Sequence, residues 1–128
     1  MTRIFLRDTD ATGVLFFTEQ LRLSVETFES FLAERGFTVG RMLRSSDYLM
    51  PIVHAESDYF APLKVGDLVK IVLVLGRIGT SSFTLNYKIY SNDKEMGKAS
   101  TIHVAVDKKT CTTIPVPQEL IELLSELK

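Results

Sequence analysis

Asp8-Thr9-Asp10-Ala11-Thr12-Gly13-Val14-Leu15-Phe16-Phe17 stands between a short apolar opening run and an amphipathic segment from Thr18 to Arg35. Two carboxylates and a glycine sit where one element must end and a helix begin. Backbone N–H groups and the positive end of a helix dipole are then available to a bound group. The segment behind carries Leu21, Val25, Phe28 and Leu32 at spacings of four, three and four, the period of one helix face. Arg22, Glu26 and Glu29 fall on the opposite side. Thr18 is suited to cap this helix, with Glu19 in its first turn, and Gly36 is suited to stop it.

Residues 3–8 predict a short strand, and 38–46 a short helix or loop. After Pro51 the pattern changes. Residues 52–60, 67–76, 81–91 and 97–106 are rich in Val, Ile, Tyr, Phe and Thr, and turn-forming residues separate them. The breaks are short, which predicts antiparallel neighbours in a meander. Pro115 and Pro117 lead into a closing amphipathic helix at 118–127. A sheet with one apolar face and one long helix to cover it predicts an α+β domain whose curved antiparallel sheet wraps round that helix. Its open edges favour pairing with a second copy.

The 128 residues suffice for one domain, 1–128, with a real core. Hydrophobic residues make up 45% and charged residues 24%, and a net charge of −1 with mixed signs leaves no basic stripe for nucleic acid. The opening run is too brief for a signal peptide or a membrane span, and the lone Cys111 excludes an internal disulfide. A cytoplasmic setting is expected.

The acidic stretch resembles three motifs. Asp8-x-Asp10-x-Thr12 after an apolar run resembles the opening of haloacid-dehalogenase-type phosphatases, but that fold needs parallel crossovers, which a meander with one long helix lacks. Asp8, Asp10, Thr12, Gly13 and Glu19 match the first, third, fifth, sixth and twelfth places of an EF-hand loop, but seven strand-like residues leave no room for an entering helix. Asp10 to Phe17 followed by the long helix resembles the hotdog-fold acyl-CoA thioesterases of the 4-hydroxybenzoyl-CoA type. Asp58-Tyr59-Phe60-Ala61-Pro62-Leu63-Lys64-Val65-Gly66-Asp67 is similar to their strand–turn–strand, and Thr101 to Asp107 with Pro115 and Pro117 to their last strand and exit. The three likenesses come in family order and span nearly the whole chain. Phe16-Phe17 and Pro51 to Tyr59 further resemble the subfamily of 1,4-dihydroxy-2-naphthoyl-CoA hydrolases.

The resemblance implies a hotdog fold, a homodimer or homotetramer, an acyl- or aryl-CoA substrate, and no metal or bound cofactor. It implies a catalytic carboxylate on Asp10, acting as nucleophile or as general base. The Phe17 backbone N–H is the implied oxyanion donor, and Gly13 the residue that turns the chain close to the thioester. Phe16, Glu19 and His54 are carried as substrate-side residues: Phe16 as an apolar wall, Glu19 near the helix start, His54 by way of a neighbouring subunit. Glu19 and Gln20 depart from the residues relatives carry there, and an unpaired Glu19 would oppose the oxyanion. Asp8 reads as a turn or cap residue. His54, Glu56 and Asp58 share one face of their strand; Lys64, Arg77 and Lys88 are candidates for CoA phosphates, or simple surface charges. The alternative function is a non-catalytic acyl-binding module of the same fold.

Overall fold

The computed structural model describes residues 1–45 and 47–127. Five strands form one antiparallel sheet: β1 (Thr2–Arg3), β3 (Ile52–Tyr59), β4 (Leu68–Ile78), β5 (Ser82–Ser91) and β6 (Lys94–Val104), in the order β1-β4-β5-β6-β3. A small second pair joins β2 (Tyr48–Leu49) to β7 (Val106–Asp107). Among the described residues three α-helices complete the fold: α1 (Glu19–Glu34), α2 (Val39–Ser45) and α3 (Gln118–Leu124), the last continued by a short 3-10 turn. The architecture is the expected α+β hotdog, a curled antiparallel sheet around α1. Ser46, the last residue of the expected segment 38–46, and Lys128, the last of the expected domain 1–128, lie outside the described residues.

β5 carries the core. Phe83, Leu85, Tyr87 and Ile89 alternate inward and are all buried, because strand side chains point to opposite faces in turn. Leu23, Phe28 and Leu32 of α1 pack onto them, with the Phe28 and Phe83 rings 6.2 Å apart. His103 lies in this apolar layer, its ring stacked on Phe83 at 4.8 Å. Its Nε2 bonds Thr101 Oγ1 at 2.9 Å, and Thr101 Oγ1 bonds the Tyr87 hydroxyl at 2.9 Å. Burial holds His103 below the ordinary histidine pKa and raises Tyr87 to about 12.

Four expectations are corrected. Residues 3–8 are not a strand: pairing stops after Arg3, and the Asp8 carboxylate accepts the Phe5 N–H at 2.9 Å, winding Leu6–Asp8 into a 3-10 turn. β3 and β4 are not neighbours, since β3 pairs with β6 at the far edge. The link 60–67 instead crosses from one side of the curled sheet to the other, a reach its length allows. The buried stripe of α1 is Gln20, Leu23, Ser24, Phe28 and Leu32, rotated from the expected one, so that Leu21 and Val25 are only half-buried. Thr18 makes no side-chain cap, because its own backbone is already helical. Gly36 ends α1 as expected, its N–H donating to Ala33 O at 3.0 Å.

β6 begins at Lys94, earlier than its apolar pattern suggests. Asn92 and Asp93 both take positive φ (52° and 61°), the two-residue turn that matches strand twist. Cys111 is exposed, in the turn after β7.

The depressed His103 pKa carries a sign. Below about pH 6.5 the unfolded chain takes up a proton that the buried imidazole refuses, so stability is lost as pH falls through that value. Thermal melts from pH 7.5 to 5.5 should show a Tm decline that His103→Gln flattens. An equal decline in both proteins would place the acid sensitivity elsewhere.

Candidate active site

The acidic stretch folds as a small hairpin. Asp10 N donates to Val14 O at 2.9 Å and Phe16 N to Asp8 O at 2.9 Å, with Thr9 bridged to Leu15. Gly13 closes the turn at φ +81°, a backbone conformation that side chains bearing Cβ rarely adopt. The crossover 60–67 is bonded along this hairpin: Leu15 N donates to Leu63 O at 2.7 Å and Val65 N to Gly13 O at 3.2 Å. Gly66 N donates to Ile4 O at 2.8 Å, fastening the other end.

The two acids sit in opposite surroundings. Asp8 is buried, with Oδ2 on the Phe5 N–H at 2.9 Å and Oδ1 on Arg22 Nη2 at 2.8 Å. It is the structural residue the sequence suggests. Asp10 is exposed at the hairpin tip. Its Oδ1 accepts the Thr12 hydroxyl at 2.6 Å and the Thr12 N–H at 2.8 Å, and among the described residues no donor reaches Oδ2. These bonds, the hydroxyl first, hold its carboxyl below the ordinary aspartate pKa. Asp10 is therefore ionised at neutral pH with one oxygen free.

Phe17 follows in the turn that leads into α1, two residues before Glu19, and among the described residues nothing accepts its N–H. Orphan N–H groups of this kind form the positive end of a helix. The Phe17 carbonyl accepts the Tyr59 hydroxyl, tying the end of β3 to the same turn. Glu19 is ion-paired to Arg22, which also holds Glu26 at 2.9 Å, so its charge is compensated beside the helix start.

A cleft of about 390 Å³ opens here, lined by Val14, Leu15, Phe17, Gln20, Tyr59 and Phe60 to Leu63. The fold thus brings Asp10, Gly13, Phe16 and Phe17 onto one loop, with Phe17 in the cleft wall and Asp10 at the tip beside it. Phe16 packs against Phe17, ring centroids 4.9 Å apart. His54 is not brought to this cleft within the chain. It lies on the exposed β3 edge strand, 3.8 Å from Glu56 on the face that Glu56 and Asp58 share. Lys64 stands on the crossover next to the loop, whereas Lys88 lies on the outer face of the sheet. Among the described residues no three His, Cys, Asp or Glu side chains are grouped to hold a metal ion, and no helix is long and apolar enough to cross a membrane.

Sequence reasoning passes over Tyr59 and Arg22 as parts of this region. Nothing local marks Tyr59. Arg22 carries a signal in its i+3 and i+4 spacing from Glu19 and to Glu26, but the link to Asp8 depends on the fold.

The loop thus carries an ionised, exposed Asp10 and a Phe17 N–H with no acceptor among the described residues, and Phe17 lines a largely apolar cleft. The thioesterase-like superfamily matches residues 5–124. A protein of Microcystis aeruginosa named 1,4-dihydroxy-2-naphthoyl-CoA hydrolase is 35% identical over 124 residues, covering 97% of this chain and 90% of its own. One of the same name from Rippkaea orientalis is 34% identical, covering 94% and 90%. The crystal structure of a 1,4-dihydroxy-2-naphthoyl-CoA thioesterase from Synechocystis superposes with a TM-score of 0.91 at 27% identity, over 98% of this chain and 93% of that one. The chain belongs to the thioesterase-like superfamily, a family of thioester hydrolases.

Thr12→Ala removes the hydroxyl bond to Asp10 Oδ1 but keeps the backbone one. Its Asp10 carboxyl, followed by NMR titration, should show a midpoint displaced upward toward ordinary aspartate. An unmoved midpoint would mean that the hydroxyl does not hold the carboxylate.

Proposed function

We propose that the protein, acting as one domain over residues 1–128 in the cytoplasm, hydrolyses 1,4-dihydroxy-2-naphthoyl-CoA at the Asp8–Phe17 loop. The observation that carries the reading is the Phe17 N–H, without an acceptor among the described residues, in the turn leading into α1 and on the same loop as an ionised Asp10. The names of the relatives support the substrate.

In this reading the thioester carbonyl oxygen accepts the Phe17 N–H, and the α1 dipole stabilises the negative charge that grows there. Asp10 acts in one of two ways. As general base it takes a proton from water, whose oxygen adds to the carbonyl carbon. As nucleophile, its free Oδ2 adds directly and water later cleaves the mixed anhydride. In both, the tetrahedral intermediate collapses by breaking the C–S bond, and the CoA thiolate leaves. Arg22 neutralises Glu19, so that carboxylate does not oppose the oxyanion. The exposed thiol of Cys111 fits a reducing compartment.

The working unit is a homodimer or a larger homo-oligomer. β3 is paired on one side only, its other edge is exposed, and Ile52 and Val53 are exposed apolar residues on it. A second copy adding to that edge would cover both.

With free thiol release as the readout, the wild type should hydrolyse aryl-CoA thioesters, and Asp10→Asn should lose about 10²- to 10⁴-fold in rate. Tight binding without turnover would instead identify the acyl-binding module, and an undiminished Asp10→Asn would remove Asp10 from the chemistry. Sedimentation should give at least twice the 14.4 kDa of one chain. A monomer at assay concentration would sink the oligomer reading.

A further inference from the structure

Gln20 is buried to 2% exposure in the first turn of α1. Its Nε2 donates to Ser57 Oγ at 2.7 Å and faces the backbone carbonyls of Asp58 and Lys98 at 2.9 and 3.4 Å. Three acceptors around one nitrogen fix which way the amide lies, since the flipped form would set its oxygen against those carbonyls. Gly97 makes the space. A Cβ there would stand 2.6 Å from Asp58 O and 2.8 and 3.0 Å from the two amide atoms of Gln20.

The amide oxygen is the unanswered half. Among the described residues nothing donates to Gln20 Oε1, yet the residue lines the cleft beside Phe17. Gln20 stands in the first turn of α1, three residues after Phe17, and both line the cleft. The Gln20 amide, held against β3 and β6, thus belongs to the same cleft wall as Phe17. The other polar group in the cleft wall, the Tyr59 hydroxyl, already donates to the Phe17 carbonyl. The remaining lining from Val14, Leu15, Phe60, Pro62 and Leu63 is apolar.

We propose that Gln20 sets acyl-group specificity: its side-chain carbonyl accepts a hydrogen bond from a ring hydroxyl of a hydroxylated aryl thioester. The inference rests on thioester hydrolysis at the Phe17 turn. The apolar walls take the ring, and the thioester itself carries no donor. An acyl group without a hydroxyl leaves a buried amide oxygen unpartnered when it fills the cleft, and that desolvation selects against it. Gln20 is held rigidly by its three acceptors, so it does not swing away to relieve the loss.

The test compares kcat/KM for 1,4-dihydroxy-2-naphthoyl-CoA and 2-naphthoyl-CoA, which differ only in the ring hydroxyls. Wild type should favour the hydroxylated substrate by about 10- to 100-fold. Gln20→Met, checked for folding by its melting curve, should bring the two within about 3-fold of each other, the loss of one neutral hydrogen bond. A purely structural Gln20 would lower both rates together and keep the ratio, which overturns the proposal. So does a wild type without preference, though thioester hydrolysis then stands. Release from neither substrate removes the hydrolysis reading and this inference with it. Should Gln20→Met not fold, the unaltered chain decides. Binding of 1,4-dihydroxy-2-naphthoic acid should shift the Gln20 side-chain amide resonances, and 2-naphthoic acid should shift them less. Equal shifts overturn the proposal.

Discussion

The Asp8 carboxylate is the point on which the geometry of the loop depends. It reaches back to the Phe5 N–H and forward to Arg22 of α1, while its own backbone carbonyl accepts the Phe16 N–H. One buried residue thereby joins the end of the first strand, the base of the hairpin and the second turn of the long helix. A charge-assisted bond of this kind contributes about 1.5–3 kcal/mol when shielded. The half-exposed Arg22 side chain places this one toward the lower end. Without Arg22 the carboxylate would keep its desolvation cost and lose its counter-charge, which is the worse half of the bargain. Arg22 at the same time binds Glu19 and Glu26, so the pairing that braces the hairpin also quiets the acid nearest the helix start.

The second brace comes from the far side of the fold. The crossover 60–67 must travel between β3 and β4 because β6 and β5 lie between them. Its route runs along the hairpin, and backbone bonds from Ile4, Leu15, Val65 and Gly66 fasten the two together. The cleft is the gap left between these fastened segments and the first turn of α1. Tyr59 and Gln20 then join β3 to that turn from its other side. The cleft beside Phe17 therefore has walls drawn from three distant parts of the chain, backed by hydrogen bonds rather than by free loops.

The parts legible in the sequence are those that rest on local period and local turn chemistry. The strand expected at 81–91 from its residue content is found as β5, central in the sheet, with Phe83, Leu85, Tyr87 and Ile89 turned inward. The long helix and its stop at Gly36 were readable for similar reasons, as was the Gly13 turn. What was not legible depends on long-range contact. Asp8 ends the first strand because its carboxylate winds the chain, which no pattern in residues 3–8 foretells. The α1 stripe turns toward Gln20 and Ser24 because polar partners exist for them inside: Ser57 and Asp58 for the amide, and the Gln20 carbonyl for the Ser24 hydroxyl at 2.8 Å. A hydrophobic count cannot see a buried polar residue that is satisfied. The placement of β3 escaped for a different reason. A short link suggests adjacent strands in a flat sheet, and a strongly curled one breaks that inference.

Asp8 and Asp10, identical side chains two residues apart, stand in opposite surroundings, and only one of them suits the proposed chemistry. Chemistry at a thioester asks for a carboxylate that is ionised, open to the substrate and equipped with a free lone pair. Asp8 has both oxygens engaged and no opening to the surface. Asp10 spends one oxygen on Thr12 and keeps the other, and the Thr12 bonds that lower its pKa also hold its orientation. Exposure costs Asp10 the electrostatic gain of a dry site, since solvent screens the attraction and repulsion that a shielded carboxylate would feel. An acyl group seated in the cleft would exclude part of that solvent. The proposed chemistry therefore relies on the bound substrate to dry the site, since the chain holds the groups in place but leaves Asp10 exposed.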